Sequence, residues 1–274
     1  MLHLWIGRAG AGKTARVLET IKKNRTRRGQ ILIVPEHVSH EAEVALCHAL
    51  GDTASRNAEV LSLRNLSGRV LGEVGGLSDF TLDGGGKLLT MRIALQEVGS
   101  SLHVFNNPSR RAAFLEQLVA LVDELYAYEI PPQELYAQVQ DVPGQEGDKL
   151  RDVALLYAAY DARLRSGGRD ARSRVQKLRD ALPQASYLRG KDVYFDGFSY
   201  FNKTEEGILL TALTQAESVT VTLLGDRSAT EIFQNALRQR QRLVRMAQQT
   251  GCRCTMEFME PAGNTPLSLS LIHI

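Results

Sequence analysis

Residues 7–14 read Gly7-Arg8-Ala9-Gly10-Ala11-Gly12-Lys13-Thr14. It matches the G-x-x-x-x-G-K-[ST] pattern of phosphate-binding loops. Glycines allow backbone N–H groups to turn inward around phosphate oxygens, while the lysine adds a positive charge and the hydroxyl a ligand for Mg²⁺. The pattern therefore predicts a site for ATP and Mg²⁺. The backbone from Gly7 to Gly12 would cradle the phosphates, Lys13 would contact them and Thr14 would ligate the metal.

Apolar runs on both sides of the loop predict the class of fold. The loop follows a strand-like run, 4–6, and precedes a helix-like run with Val17, Leu18 and Ile21 on one side. Helical stretches, one capped by Ser39 and one from Thr204 to Thr214, alternate with further strand-like runs at 31–34, 60–63, 192–195 and 219–224. Because such alternation is typical of parallel sheets with helical crossovers, we predict an α/β fold around a RecA-like parallel sheet.

The middle of the chain has a different pattern. Between 87 and about 188 the sequence is almost entirely helical, and glycines at 84–86 predict a loop before it. Two apolar stripes with helical spacing lie in this stretch, one from Phe114 to Leu125 and one from Leu150 to Leu164. We therefore predict a sheet domain in two parts, 1–86 and 189–262, with an all-helical insertion at 87–188. Residues 263–274 have no helix cap and no stop signal. Whether this tail belongs to the native protein or has another origin is left open by the sequence.

Composition excludes several classes of protein. The chain has 274 residues, of which 43% are hydrophobic and 23% charged, as in an ordinary globular protein. No apolar run approaches the ~20 residues of a membrane span, and no signal peptide is apparent. Three cysteines do not make a disulfide framework, which favours a reducing, cytoplasmic compartment. The net charge of +2 neither demands nor excludes a nucleic-acid partner.

The remaining parts of an ATPase site are incomplete. Asp196 follows the run at 192–195 and is the candidate carboxylate for Mg²⁺, but Gly197 stands where the catalytic Glu usually follows. The Gly225-Asp226 pair resembles a turn of superfamily-1 helicases whose phosphate-sensing Gln would fall at Ala229. Since loss of a general base typically costs ~10²–10⁴ in rate, we predict a degenerate motor.

Other polar and aromatic clusters have plainer interpretations. Basic residues at 22–28 and at 238–245 fit solvated helix faces, with contact to DNA phosphates as the alternative. Aromatic residues at 194–201 fit core packing, with base stacking as the alternative for Tyr200 and Phe201. The spacing of His37, His40, Cys47 and His48 matches no zinc pattern.

Several blocks together resemble the AddB (RexB) family. They are the opening strand and loop at 4–14, Val34-Pro35-Glu36, the segment from Val60 to Gly76, Gly86-Lys87-Leu88-Leu89, and Asp196-Gly197-Phe198-Ser199-Tyr200-Phe201. The similarity spans roughly 2–235, and it is looser at His37, where the family usually has Gln, and at Leu63, where Phe is common.

The resemblance implies a bacterial subunit that processes double-strand DNA ends for homologous recombination with an AddA-like helicase–nuclease partner. The family's nuclease and 4Fe-4S cluster would lie outside this chain, which has no Glu-x-Lys motif and no four-cysteine set. It also implies a superfamily-1 1A-like sheet domain with a 1B-like helical insertion.

Two alternatives remain open at this point. One is an active superfamily-1 translocase whose base comes from Glu205 or Glu206. The other is a P-loop scaffold without a DNA role.

Overall fold

The computed structural model describes residues 1–24, 29–51, 54–76, 82–106, 112–166, 174–227 and 234–260. The strands are β1 (Leu2–Gly7), β2 (Gln30–Ile33), β3 (Ala58–Leu61), β4 (Asp192–Phe195), β5 (Ser218–Leu224) and β6 (Cys254–Met259). The helices are α1 (Lys13–Lys23), α2 (Ser39–Leu50), α3 (Ala54–Asn57), α4 (Leu63–Val74), α5 (Gly84–Val98), α6 (Ala112–Ala127), α7 (Pro132–Val139), α8 (Gly144–Ser166), α9 (Arg174–Ala181), α10 (Lys203–Gln215) and α11 (Gln234–Gln249).

The six strands form one parallel sheet in the order β3-β2-β4-β5-β1-β6. The predicted α/β class with a parallel sheet is therefore confirmed. β1 lies between β5 and β6, while the next strand along the chain, β2, pairs with β3 and β4. In such open sheets the ligand crevice forms outside the carboxyl ends of the strands, where the strand order reverses. The residues that follow β1, β4 and β5 therefore share this edge.

The chain divides into two compact units. The sheet unit contains the described residues of 1–75 and 178–201 and those from Glu205 onward, and the helical unit contains 76–177 and 202–204. One face of the sheet packs Trp5, Leu32 and Tyr194 against Val17 and Ile21 of α1. The helical unit has its own core, in which Tyr157 and Tyr160 of α8 pack with apolar residues of α5 and α6. Each unit thus buries an apolar core of its own.

Several local predictions are wrong. Ser39 does not cap α2, because its hydroxyl donates to the Glu36 carbonyl and Val38 is the N-cap. β3 ends at Leu61, since Ser62 accepts a hydrogen bond from the Asn65 N–H and caps α4. The predicted loop at 84–86 is instead the first turn of α5, because the Asp83 carboxylate accepts from the Gly86 N–H.

The carboxyl-terminal part of the sheet unit contains a strand that the sequence did not predict. β6 pairs in parallel with β1 from Cys254 to Met259. Arg16 supports this edge from α1: its guanidinium lies 4.6 Å from the Trp5 ring centroid and donates to both carboxylate oxygens of Glu257. Among the described helices, none is both long enough and apolar enough to cross a membrane.

Candidate functional site

The glycine-rich loop, residues 7–14, joins the end of β1 to the start of α1. Gly10 and Gly12 have φ angles of 76° and 75°, a region that L side chains rarely adopt. A Cβ on either residue would meet no atom within 4 Å, so the space beside them is open. Gly7 differs, because a Cβ there would lie 2.9 Å from both the Ala11 Cβ and the Met259 carbonyl. The loop is thus tight at its base and open beside Gly10 and Gly12.

Lys13 lies at the start of α1 and points back into the loop. Its Nζ donates to the carbonyls of Gly7 at 2.8 Å and Arg8 at 2.9 Å. Burial lowers the pKa of the Lys13 ammonium, and the nearby Asp196 carboxylate opposes this by favouring the charged form. The loop therefore holds a half-buried cation, which an incoming anion would find next to the open space.

Asp196 follows β4 and joins the loop to the sheet. One carboxylate oxygen accepts from the Thr14 hydroxyl at 2.7 Å, and the other accepts from the Thr222 hydroxyl of β5 at 2.5 Å. Asp196 is only 4% exposed. The structure thus brings together the two predicted metal residues, Thr14 and Asp196. Thr222 is an additional member that no sequence signal distinguishes, because β5 contains two further hydroxyl residues, Ser218 and Thr220.

The turn after β5 also contacts the loop. The Gly225 N–H donates to the Gly7 carbonyl at 3.2 Å. The Arg8 guanidinium donates to one carboxylate oxygen of Asp226 from Nε at 3.1 Å and from Nη2 at 2.7 Å. Arg8 therefore ties the loop to the Gly225-Asp226 turn. The turn is recognisable from the sequence, whereas its ion pair with Arg8 is not.

The candidate substitutes for a catalytic base lie on α10. Glu206 pairs with Arg242 of α11 at 3.1 Å, and this ion pair occupies its carboxylate. Gly197, in place of the usual Glu, has a φ of 81°, and a Cβ there would lie 3.4 Å from the Pro35 ring. A side chain at Gly197 would therefore be strained. Ala229 lies outside the described residues.

The aromatic residues beside Asp196 divide into two groups. Phe201 is 3% exposed and stacks on Phe198 with ring centroids 4.9 Å apart, while Tyr194 and Phe195 are buried in β4. Core packing is thus confirmed for Tyr194, Phe195 and Phe201. It is wrong for Tyr200, which is 59% exposed.

The weaker candidates form no second site in the part of the chain that the structure describes. No group of three or more His, Cys, Asp or Glu side chains there is arranged to hold a metal ion. Of the first basic run, Lys22 and Lys23 lie in the last turn of α1, and 25–28 fall outside the described residues. The tail at 263–274 falls outside them too.

The chain is similar to known bacterial proteins. The family model for the amino-terminal part of ADDB matches residues 4–274. Proteins named as a subunit of an ATP-dependent helicase/deoxyribonuclease are similar to it in Geobacillus thermodenitrificans (32% identical, 82% of this chain, 20% of that protein) and in Pelotomaculum thermopropionicum (34%, 89% and 22%). The relative of the same name in Moorella thermoacetica is 32% identical over 92% of this chain and 23% of its own length.

The chain thus spans about a fifth of the length of these relatives. Since the family model covers nearly all of the sequence, the chain belongs to the AddB family and corresponds to its amino-terminal part.

Proposed function

We propose that the chain binds ATP with Mg²⁺ at the glycine-rich loop and handles DNA as the amino-terminal part of an AddB-type helicase/deoxyribonuclease subunit. The observation that carries this proposal is the Thr14–Asp196 hydrogen bond of 2.7 Å, which sets a loop hydroxyl beside a strand-end carboxylate. A hydroxyl and a carboxylate are oxygen ligands of the kind that Mg²⁺ takes. The loop and the edge of the sheet would then act as one site.

The residues present fit a nucleoside triphosphate. The backbone from Gly7 to Gly12, including Arg8, Ala9 and Ala11, would bind phosphate oxygens in the open space beside Gly10 and Gly12. Lys13 would exchange its two carbonyl partners for phosphate oxygens, and Thr14 and Asp196 would hold the metal directly or through water. When bound, Mg²⁺ would neutralise phosphate charge. Phosphate oxygens and waters would complete its coordination beside the hydroxyl and the carboxylate.

We propose further that ATP acts structurally rather than as a fuel. Gly197 carries no base, and the Glu206 carboxylate is already paired with Arg242. With no base at Gly197 and Glu206 held by Arg242, bound ATP would persist and stabilise the loop against the Gly225-Asp226 turn. The chain would then be a degenerate, non-motor module.

The rest of the proposal concerns the longer protein. We assign 1–86 and 189–262 to a RecA-like P-loop domain, similar to the 1A domain of superfamily-1 helicases, and 87–188 to a 1B-like helical insertion. An AddA-like helicase–nuclease subunit and the double- and single-stranded parts of broken DNA ends would be its partners in homologous recombination. The 5′-strand exonuclease and a 4Fe-4S cluster would lie in the part of such a protein that this chain does not span. The protein would act in the bacterial cytoplasm.

The test is nucleotide binding by the full chain with a fluorescent ATP analogue in Mg²⁺. Lys13→Ala should weaken binding about 10- to 100-fold, since charge-assisted hydrogen bonds contribute ~1.5–3 kcal/mol. Lys22→Ala is the matched control, because this exposed lysine of the same helix lies in its last turn. Equal binding by both variants would refute the site.

Hydrolysis is measured on the same samples. We expect ATP to remain uncleaved, whereas steady turnover near ~10 s⁻¹, a typical enzyme rate, would contradict the non-motor assignment. If turnover occurred and Glu205→Gln with Glu206→Gln abolished it, the active translocase would be the better description. A scaffold without a DNA role would show nucleotide binding but no salt-sensitive affinity for DNA.

A further inference from the structure

The exposed face of α11 has an unusual composition. The exposed positions of this helix carry three arginines (Arg238, Arg242 and Arg245), four glutamines and Asn235. These positions lie on one side of the helix, while Gln239, Leu243 and Ala247 are buried on the other. We call this exposed set the α11 polar face. It contains no carboxylate, no hydroxyl and no apolar side chain.

A helix face that serves only to contact water usually mixes charges of both signs. On α1, for example, Glu19 pairs with Lys23 one turn later. The whole of α11 contains neither Asp nor Glu, so none of its arginines is balanced within the helix. The α11 polar face is therefore positively charged, with no carboxylate of its own helix to balance its arginines, and its remaining groups are carboxamides.

Two of the three arginines are available to a ligand. Arg242 pairs with Glu206 on α10. Within the part of the chain that the structure describes, no ion pair involves Arg238 or Arg245, and Arg245 donates only a long bond, 3.4 Å, to the Gln241 carbonyl of its own helix. These two residues are seven positions apart, which is about 10 Å along a helix axis. They can therefore contact separate anionic groups.

We infer that the α11 polar face binds the phosphate backbone of DNA. Guanidinium groups form a planar fork that matches phosphate oxygens, and carboxamides donate hydrogen bonds to phosphates and sugars alike. The choice of DNA as the polyanion rests on the proposed function, whereas the surface itself is independent of the nucleotide site.

The chemistry of the face favours a nucleic acid over a protein or a membrane. Stable protein interfaces concentrate their binding energy in buried aromatic and apolar anchors, and the α11 polar face has none. A membrane-surface helix must insert an apolar face, but the apolar side of α11 is already packed within the sheet unit.

The experiment measures the affinity of the full chain for two labelled probes, a 30-nucleotide single strand and a 30-base-pair duplex, from 50 to 300 mM salt. Arg238→Ala with Arg245→Ala should lower affinity about tenfold at 0.1 M salt. Each lost phosphate contact should reduce the slope of log K against log salt by ~0.7 for the single strand and ~0.9 for the duplex. The double variant should therefore lose ~1.4 from the slope of the single strand or ~1.8 from that of the duplex. The probe whose slope falls shows which strand form lies on the face.

The matched control is Arg56→Ala with Arg253→Ala, which removes the same charge from two exposed positions of the sheet unit outside α11. The lysine pair Arg238→Lys and Arg245→Lys should retain the slope, because it retains the charge. An unchanged slope in the alanine pair, an equal loss in the control pair, or equal competition by polyglutamate would overturn the inference. Binding of the fluorescent ATP analogue should be the same in all variants, so a failed nucleotide site remains distinguishable from a failed DNA surface.

Discussion

Each unit of the molecule buries a carboxylate, but the two are held differently. In the helical unit, Asp152 is 1% exposed and accepts from three consecutive backbone N–H groups, those of His103, Val104 and Phe105, at 2.7–2.9 Å. In the sheet unit, Asp196 accepts from two side-chain hydroxyls. Backbone N–H groups can only donate, whereas a hydroxyl can rotate and accept instead. The first arrangement fixes a fold, and the second leaves its carboxylate able to exchange partners.

The donors therefore separate a structural carboxylate from one suited to a ligand, although both are almost completely buried. The Asp152 contacts hold the segment at 103–105 onto α8. The Asp196 contacts join three elements whose ends meet at the ligand edge of the sheet: the start of α1, the end of β4 and the middle of β5. A divalent cation could take the Thr14 oxygen and the carboxylate as ligands without breaking a backbone hydrogen bond.

The largest predicted effect is on stability, with one substitution made at both carboxylates. Asp152→Asn would turn an amide NH₂ toward a backbone N–H, so that two donors face each other, and would weaken charge-assisted bonds. We expect a loss of about 3 kcal/mol, or roughly 8 °C in the midpoint of thermal unfolding. Asp196→Asn should cost about 1 kcal/mol or less, because either threonine hydroxyl can accept from the new amide.

Asp148→Asn is the control for this pair. Asp148 lies on the same helix as Asp152 and pairs with Arg151 at the surface, so its substitution should change stability by less than ~0.5 kcal/mol. Circular dichroism during heating measures all three variants. Equal destabilisation by Asp152→Asn and Asp196→Asn would refute the distinction between the two carboxylates.

Sequence patterns predicted the interior strands and the edge strand β3, but they missed β6 at the other edge. β2 and β4 are buried along their whole length, and after Gln30 and Asp192 each continues as an apolar run, which is the pattern of central parallel strands. Among the described strands, β6 pairs with β1 alone, and its exposed Thr255 and Glu257 break the apolar run. The prediction of a loop at 84–86 was wrong because the sequence pattern does not show that the Asp83 carboxylate accepts a hydrogen bond from the first turn of α5.

The candidate site was predicted where a local motif exists and missed where only tertiary structure brings residues together. Lys13 and Thr14 belong to the loop motif that follows β1, and Asp196 directly follows the apolar run of β4. Thr222 lies in the middle of β5, and only the pairing of β4 with β5 places it beside Asp196. The Arg8–Asp226 ion pair joins residues 218 positions apart, a contact that no local spacing encodes.

The second predicted effect concerns the binding of Mg²⁺ at the Asp196 carboxylate. Asp196→Asn removes the negative charge beside Thr14, so the increase in nucleotide affinity that Mg²⁺ provides should fall about tenfold. Binding in EDTA should be nearly unchanged. Titration of the fluorescent ATP analogue with and without Mg²⁺ measures both quantities.

Asp152→Asn, assayed below its melting midpoint, is the matched control, because it alters a carboxylate of the same kind in the helical unit. It should retain the full effect of Mg²⁺. If Asp196→Asn also retained it, Asp196 would be a structural residue like Asp152.

The smallest predicted effect concerns helix caps, one in each unit. Ser62 caps α4 in the sheet unit, and Asp83 caps α5 in the helical unit. Ser62→Ala should cost about 1 kcal/mol, and Asp83→Ala somewhat more, because a carboxylate also interacts favourably with the helix dipole. α5 begins with three glycines, which resist helix formation, so its first turn depends on the cap more than the first turn of α4 does.

Ser39→Ala provides the contrast within the same residue type. Its hydroxyl donates to the Glu36 carbonyl and accepts no N–H from the first turn of α2, so its loss should cost less than ~0.5 kcal/mol. Thermal unfolding of the three variants ranks them directly. An equal cost for Ser39→Ala and Ser62→Ala would mean that the hydroxyl, rather than its acceptance of a first-turn N–H, stabilises these helix starts. Accepting a backbone N–H would then matter for stability at Asp152 but not at these helix caps.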